Sequence, residues 1–305
     1  MRVRLVRQVT NTGILVNLVE HVRRVAGVVN VRATAVILAT WAPIACASFS
    51  AHASKRGPAC PPLEVPARLT SPNAVIMLGE LHGTEQAPRF VGDLACTLAA
   101  RGLPVTVALE LPVEFSGLLG RLVSDDRPNA AEWQTLFGGT WQDGRRSTAI
   151  AALVERLAAM RHAGANMEAA SYAPDSAPAQ ERDDGMSRTL AALAGKGRVL
   201  IVLSGNLHNR LRAGTAISAQ YRPAGFGLAK LIAPERIVSL DVGYDAGTAW
   251  LCASPKPADC GVHHVNARHP AAWGTVTLFD SLDAEGYGGR FGVGAITAAM
   301  PAIAK

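Results

Sequence analysis

Histidines and glutamates follow three apolar segments of this chain. The sequence Gly-Glu-Leu-His at 79–82 closes the run 74–78, and Gly-Asn-Leu-His at 205–208 closes the run 199–203. Glu110 follows a third run. Continuous apolar runs of this length are typical of buried parallel strands, whose carboxyl ends meet at one edge of an open sheet. We therefore expect four chemically active side chains at this edge, those of Glu80, His82, Glu110 and His208.

Two imidazoles and two carboxylates in one place suit two kinds of chemistry. They can hold a divalent metal ion, or they can act as a general-base cluster that deprotonates water. The glycine that opens each turn predicts a sharp change of direction as the chain leaves the sheet. For either histidine alone, the simpler interpretation is a turn residue that caps backbone groups, but the matched placement of both favours a functional site.

The remaining pattern predicts an α/β fold, an open, mostly parallel sheet with helices on both faces. Residues 125–146 lack periodicity and predict an irregular or partly helical lid over a cleft. Helices are expected at 85–101, 113–123, 148–160 and 183–194, and strands at 74–78, 105–109, 165–170, 199–203, 237–242, 248–252, 276–279 and 293–297. The first strand–helix–strand unit predicts a parallel pair with a right-handed crossover.

The positive charge belongs to the first part of the chain. The formal net charge is +6, but residues 1–53 hold six arginines and one glutamate, so the remainder is nearly neutral. Aromatic residues make up only 5%. A nucleic-acid partner is therefore not expected.

Residues 1–53 resemble an export leader. Arg32 precedes an apolar run at 33–42, and Ala-x-Ala patterns follow at 45–47 and 51–53. One alternative is an uncleaved membrane anchor, which would be the only membrane contact. Another is that the chain begins too early, at a mis-assigned start. Lipidation at Cys46 is disfavoured by the residues before it. We expect an exported protein, periplasmic or associated with the cell envelope, with a linker at 54–72 and one domain at 73–305.

Four cysteines follow the leader, and export permits disulfides. Cys252 and Cys260 flank a turn-rich loop, which predicts a bond between them. Cys60 and Cys96 form a second candidate pair, unless Cys96 is a core residue. A rival interpretation joins Cys252 and Cys260 to the histidines at 263–264 in a zinc cluster, but the spacing matches no standard zinc module.

Four motifs resemble the ChaN-like haem-binding proteins in both content and order. They are Met-Leu-Gly-Glu-Leu-His-Gly at 77–83, Ala-Leu-Glu at 108–110, Glu-Arg-Asp-Asp-Gly-Met at 181–186 and Leu-Ser-Gly-Asn-Leu-His at 203–208. The wider superfamily includes the erythromycin esterases and the TraB/Tiki group. The resemblance extends over about 73–300.

The resemblance implies a cleft between the two Gly-x-x-His turns, with the same four histidine and glutamate side chains as catalytic groups or metal ligands. It adds Arg182 and Asp183 as neighbours, with Asn206 from the second turn. The segment 141–145 is also similar to a site-facing stretch of relatives. Arg145 or Arg182 would hold a carboxylate or propionate of the ligand, the alternative for each being an ordinary ion pair.

Members of this superfamily differ in activity, and the fold does not decide among them. The leading hypothesis is binding of haem or iron, with a role in iron uptake, or of a divalent metal ion. The alternative is a hydrolase that activates water, either a metal-dependent peptidase of the Tiki type or an esterase with a histidine base. No Gly-x-Ser-x-Gly elbow is present. Under the haem hypothesis a tyrosine could be an axial ligand, the candidates being Tyr172, Tyr221, Tyr244 and Tyr287.

Overall fold

The computed structural model describes residues 60–125, 129–139, 143–175, 178–214, 218–254 and 256–303, which contain nine strands, six α-helices and four short 3₁₀ helices. The strands are β1 (Val75–Glu80), β2 (Val105–Pro112), β3 (Met167–Ala173), β4 (Val199–Gly205), β5 (Ile237–Asp245), β6 (Gly247–Cys252), β7 (Cys260–Val265), β8 (Val276–Leu278) and β9 (Gly289–Ala295). The helices are α1 (Gln86–Ala100), α2 (Ser116–Ser124), α3 (Ala130–Phe137), α4 (Thr148–His162), α5 (Ala179–Leu193) and α6 (Ala224–Leu231). The leader predicted at 1–53 lies outside the described residues.

Seven strands form one sheet in the order β3-β2-β4-β1-β5-β9-β8. All neighbours are parallel except β8, which runs antiparallel to β9. Strands β6 and β7 form a separate antiparallel hairpin. The predicted mostly parallel α/β fold is confirmed. The expected pair of β1 and β2 is parallel, but the two strands are not neighbours, because β4 lies between them.

Helices cover both faces of the sheet, which explains why the central strands are apolar without interruption. Ile76 and Leu78 of β1 belong to the core cluster that includes residues of α1, α2 and α4. Val75 and Met77 belong to the opposite cluster, together with residues of α5 and α6. Successive residues of a strand point to opposite faces, so a strand buried on both sides needs apolar residues at every position.

Two of the α-helices, α3 and α6, and one strand, β7, were not predicted by the sequence pattern. Helix α3 lies within the segment predicted to be a lid, and the Asn129 side chain caps it by accepting the backbone N–H of Ala131. Two glycines in the short helix α6 weaken its helical signal.

Residues 60–72, within the predicted linker, pack on the domain. Leu63 and Leu69 are buried in the core, and a disulfide joins Cys60 to Cys96 on α1. No helix in the described residues is long and apolar enough to cross a lipid bilayer.

Candidate active site

The carboxyl ends of β1, β2 and β4 lie level with one another. Glu80 at the end of β1 is paired in register with Gly205 at the end of β4, and Leu109 of β2 is paired with Leu203. The Glu110 carboxylate, which follows Leu109, accepts the backbone N–H of Gly205 at 2.8 Å. The register of the three central strands therefore brings both Gly-x-x-His turns to one place.

Each histidine has one ring nitrogen held by a carboxylate. His82 Nδ1 lies 2.8 Å from Glu80 Oε1, and His208 Nδ1 lies 2.9 Å from Asp183 Oδ1. The Nε2 atoms of the two rings lie 3.5 Å and 3.9 Å from the Glu110 carboxylate, respectively. A carboxylate at Nδ1 fixes the ring orientation and the tautomer, so both Nε2 atoms are directed at the same centre.

Gly205 provides the space that both rings use. A Cβ atom at this position would lie 2.9 Å from His82 Nε2 and 3.5 Å from His208 Cδ2. The two imidazoles therefore flank Gly205 in one site.

The glycines that open the two motifs have a different role from the one expected. Neither Gly79 nor Gly205 has a left-handed backbone conformation, so a sharp turn is not what requires them. Gly79 is needed because the buried Asn209 side chain fills the space where its Cβ would be. Gly83, directly after His82, has a positive φ of 74°.

Two arginines surround Glu110, which is almost completely buried. Arg182 donates twice to Glu110 Oε1, at 3.0 and 3.1 Å, and Arg145 lies 3.4 Å from the same oxygen. Arg145 also donates to Asp143 at 2.5 and 2.9 Å. Both of the arginines predicted to hold a ligand are thus engaged in ion pairs within the protein.

These contacts determine which groups of the site are charged. Burial disfavours the charged Glu110 carboxylate, but His208, His82 and Arg145 hold its pKa well below the ordinary value. Burial alone would lower the pKa of His82, whereas the Glu110 and Glu80 carboxylates raise it to about 10. Burial raises the pKa of Glu80, against the opposing effect of His82. His82 is therefore a cation at neutral pH, paired with the Glu110 anion.

The carboxylate of Asp183 on α5 is almost completely buried and accepts from three groups. Besides His208, it accepts the Tyr221 hydroxyl at 2.6 Å and the backbone N–H of Ala224 at 2.7 Å. The sequence resemblance included Asp183, whereas Tyr221 was expected only as one of four candidate haem ligands, because a loop tyrosine has no distinguishing spacing; its bond to Asp183 was not expected.

The loop after β4 is fixed to the sheet by Asn209 and Asn206. The Asn209 amide donates to the carbonyl of Leu240 at 3.0 Å and to Ser239 Oγ at 3.2 Å, both on β5. The backbone N–H of Asn206, a residue predicted to bind the ligand, donates to the carbonyl of Glu80, and the Asn206 carbonyl accepts the Tyr287 hydroxyl.

The four residues predicted as metal ligands lie together, but their geometry does not fit a metal ion. Among the described residues, no group of three or more His, Cys, Asp or Glu side chains is arranged to hold one. The reason is that Glu110 already accepts from Arg182 and the Gly205 N–H, and a guanidinium 3.0 Å from the donor oxygen repels a second cation. Only Glu80 Oε2 is buried without a partner in the described residues of this cluster.

The tyrosines do not fit the role of an axial haem ligand. Tyr172 and Tyr287 are fully buried, Tyr244 is 6% exposed, and Tyr221 donates its proton to Asp183. Burial raises the pKa of all four hydroxyls, which opposes formation of the phenolate that iron would bind.

The hairpin of β6 and β7 is closed by a disulfide between Cys252 and Cys260. These cysteines are therefore not available as zinc ligands. The backbone N–H of Trp250 in β6 donates to the carbonyl of Gly83 at 2.9 Å. The hairpin thus supports the turn that carries His82.

No protein-family model matches this chain, and no curated protein matches it. Its structure is similar to solved ones. A mutant of the erythromycin esterase EreC in its open conformation has a TM-score of 0.58 at 11% identity, over 77% of this chain and 94% of the esterase.

Two further similarities are weaker. A Bacillus cereus protein gives a TM-score of 0.49 at 9% identity, over 66% of this chain and 72% of that one. ChaN of Campylobacter jejuni, described with cofacial haem binding, gives 0.39 at 12% identity, over 65% and 89%. The resemblance seen in the sequence is confirmed at the level of fold, and the chain has the α/β fold of the erythromycin esterase EreC.

Proposed function

We propose that this protein is a hydrolase that activates water with a histidine base and without a metal ion. The observation that carries the proposal is the environment of His208. Its Nδ1 is held by Asp183, and its Nε2 has no hydrogen-bond partner among the described residues, the nearest carboxylate oxygen being 3.9 Å away on Glu110. A histidine with one nitrogen oriented by an acid and the other open is the arrangement of a general base.

The neighbouring residues have supporting roles. His82, with its pKa near 10, stays protonated at neutral pH and balances the charge of Glu110. Arg145 is partly exposed and lies 3.4 Å from Glu110, so its guanidinium can stabilise an oxyanion that develops beside the carboxylate. Arg182, in the first turn of α5, donates to the Glu110 carboxylate and holds it in place.

The reaction is ordinary acyl transfer to water. His208 Nε2 takes a proton from water as the oxygen attacks the carbonyl carbon of an ester, forming a tetrahedral oxyanion beside Arg145. The oxyanion collapses, the carbon–oxygen bond of the ester breaks, and the imidazolium returns the proton to the leaving alkoxide. The products are a carboxylic acid and an alcohol.

The test is hydrolysis of 4-nitrophenyl esters and of a chromogenic peptide by the purified chain and by His208→Ala. We expect ester turnover that falls roughly a hundredfold or more in the variant, the usual contribution of a general base. His264→Ala removes an exposed histidine of β7 and is the matched control, with unchanged turnover expected. Equal rates in His208→Ala and the unaltered chain would refute the proposal.

The same preparation tests the metal and haem alternatives. Turnover should persist in excess chelator, and loss of activity that a divalent ion restores would show a metal-dependent enzyme instead. A haemin titration should give no shifted Soret band that depends on His208. If such a band appears in a folded chain that hydrolyses nothing, a haem-binding role replaces the hydrolase.

A further inference from the structure

A cavity of about 280 Å³ adjoins the proposed catalytic centre. Glu110, Arg145 and Arg182 line it on the side of the site, and its other lining includes Pro112, Pro174 and Arg146. Its volume is just below the range usual for sites that enclose drug-sized ligands. A bound group there would be small and would lie next to Glu110 and Arg145.

Arg146 differs from the other two arginines of this cavity in its charge balance. Arg145 is paired with Asp143, and Arg182 is paired with Glu110. Arg146 instead donates to the backbone carbonyl of Gly138 at 2.6 Å and lies over the Phe115 ring, 5.4 Å from its centroid. Within the described part of the chain, no carboxylate lies within ion-pair distance of Arg146.

The acidic residues of the cavity do not cancel this charge. Glu110 and Asp143 are each neutralised by an arginine in direct contact. Asp175 also lines the cavity but is exposed, so solvent and salt screen it. Contact with a carbonyl and a ring holds the Arg146 side chain in one place while its charge remains available for an anion. A guanidinium fixed in this way is suited to bidentate contact with a planar carboxylate.

We propose that this cavity binds a carboxylate of the substrate through Arg146, so that the preferred substrates are small esters with a free carboxylate close to the bond that is cleaved. The inference rests on the proposed hydrolase function and specifies its substrate class. The consecutive residues Arg145 and Arg146 then have different roles. The first faces the reacting centre at Glu110, and the second holds the anionic end of the substrate.

The kinetic test compares two esters of nearly equal shape, the mono-4-nitrophenyl ester of glutaric acid and 4-nitrophenyl pentanoate. We expect the glutarate ester to have the higher kcat/KM, by roughly tenfold to a hundredfold, as for a hydrogen bond to a charged group. Arg146→Gln should abolish this preference, so that both esters have similar kcat/KM, and Arg146→Lys should restore part of it. Arg89→Gln is the matched control, because Arg89 also lies over an aromatic ring, that of Trp273, but does not line the cavity.

A binding measurement separates this inference from the proposed function. Calorimetric titration with glutarate should show binding to the unaltered chain and to His208→Ala, and a loss of at least tenfold in affinity in Arg146→Gln. Equal turnover of both esters, with no binding of glutarate that depends on Arg146, would overturn the carboxylate subsite while leaving the hydrolase standing. Binding that depends on Arg146 in a chain without esterase activity would support the subsite and remove the hydrolase. Melting curves of both Arg146 variants verify that they are folded.

Discussion

At the residue scale, the site consists of two histidine–acid pairs directed at one central carboxylate. The pairs differ in what lies at the second ring nitrogen. His82 Nε2 faces Glu110 at 3.5 Å and carries a proton, whereas His208 Nε2 is left open. Two rings in similar sequence motifs are therefore suited to different chemistry, because different groups surround their second ring nitrogens.

Asp183→Asn should disable the proposed base without unfolding the chain. The amide keeps the shape of the carboxylate but cannot stabilise an imidazolium at His208, so we expect kcat to fall roughly a hundredfold or more with little change in KM. Tyr221→Phe removes only the hydroxyl that Asp183 accepts at 2.6 Å and should cost much less. Steady-state kinetics on a 4-nitrophenyl ester decides between them, and equal losses in both variants would mean that Asp183 is only structural.

Gly205→Ala should inactivate the site by steric crowding. The added methyl group would lie 2.9 Å from His82 Nε2, so the ring or the turn must move, and a displacement of this kind typically costs roughly a hundredfold in rate. Gly261→Ala is the matched control, since its Cβ would meet no atom within 4 Å. Full activity of folded Gly205→Ala would show that the ring positions are not critical.

The raised pKa of His82 predicts a pH-dependent stability. The folded chain binds this proton more tightly than the unfolded chain, whose histidine has the ordinary pKa of 6.5. The stabilisation is therefore complete below about pH 6.5 and is lost as the pH rises towards 10. Urea unfolding between pH 6 and 10 should show a smaller loss of stability in His82→Gln than in the unaltered chain. Parallel curves would contradict the assignment of a charged His82.

At the element scale, the central strands were predictable and their order was not. The runs at 74–78, 105–109 and 199–203 correspond to β1, β2 and β4 because strands buried on both faces leave a continuous apolar signal. The position of β4 between β1 and β2 depends on pairing between distant segments, which periodicity does not record. The sequence pattern does not predict the short helix α6, because its two glycines weaken the helical signal.

For the site, too, one part of the arrangement could be predicted from the sequence and another part could not. The meeting of Glu80, Glu110 and the two histidines follows from a general rule, that parallel strands end at one edge. The arginine pairs around Glu110 do not follow from that rule, because they depend on side-chain contacts between β2, the segment before α4, and α5. Because of those contacts, Glu110, which was expected to be a metal ligand, is instead paired with two arginines.

The two disulfides should differ in their contribution to stability. The bond from Cys60 to Cys96 closes 36 residues and the bond from Cys252 to Cys260 only 8, so loop entropy predicts about 4 and about 2.5 kcal/mol, respectively. Replacing each pair by alanine and measuring unfolding in urea tests the order. A larger loss from the second pair would show that the hairpin, which bonds to Gly83, stabilises the chain by more than loop closure.

At the scale of the whole molecule, we propose that the protein is exported. Two disulfides among the described residues support this, because such bonds persist in oxidising compartments. We expect the mature chain in the cell-envelope or periplasmic fraction to lack the residues up to 47 or up to 53. Mass spectrometry of that fraction gives the new first residue. An intact leader on a cytoplasmic chain with reduced thiols would contradict export.

The placement of β4 between β1 and β2 also affects how the protein folds during and after its synthesis. Val75 of β1 pairs with Leu200 of β4. The ribosome therefore completes the segments that carry His82 and Glu110 long before it synthesises β4 and His208. Pairings between such distant segments form slowly. If the proposed hydrolase function is correct, we expect a chain in which β4 has not yet paired to be inactive, and the first turnover in a refolding experiment would mark the pairing of β4 with β1 and β2.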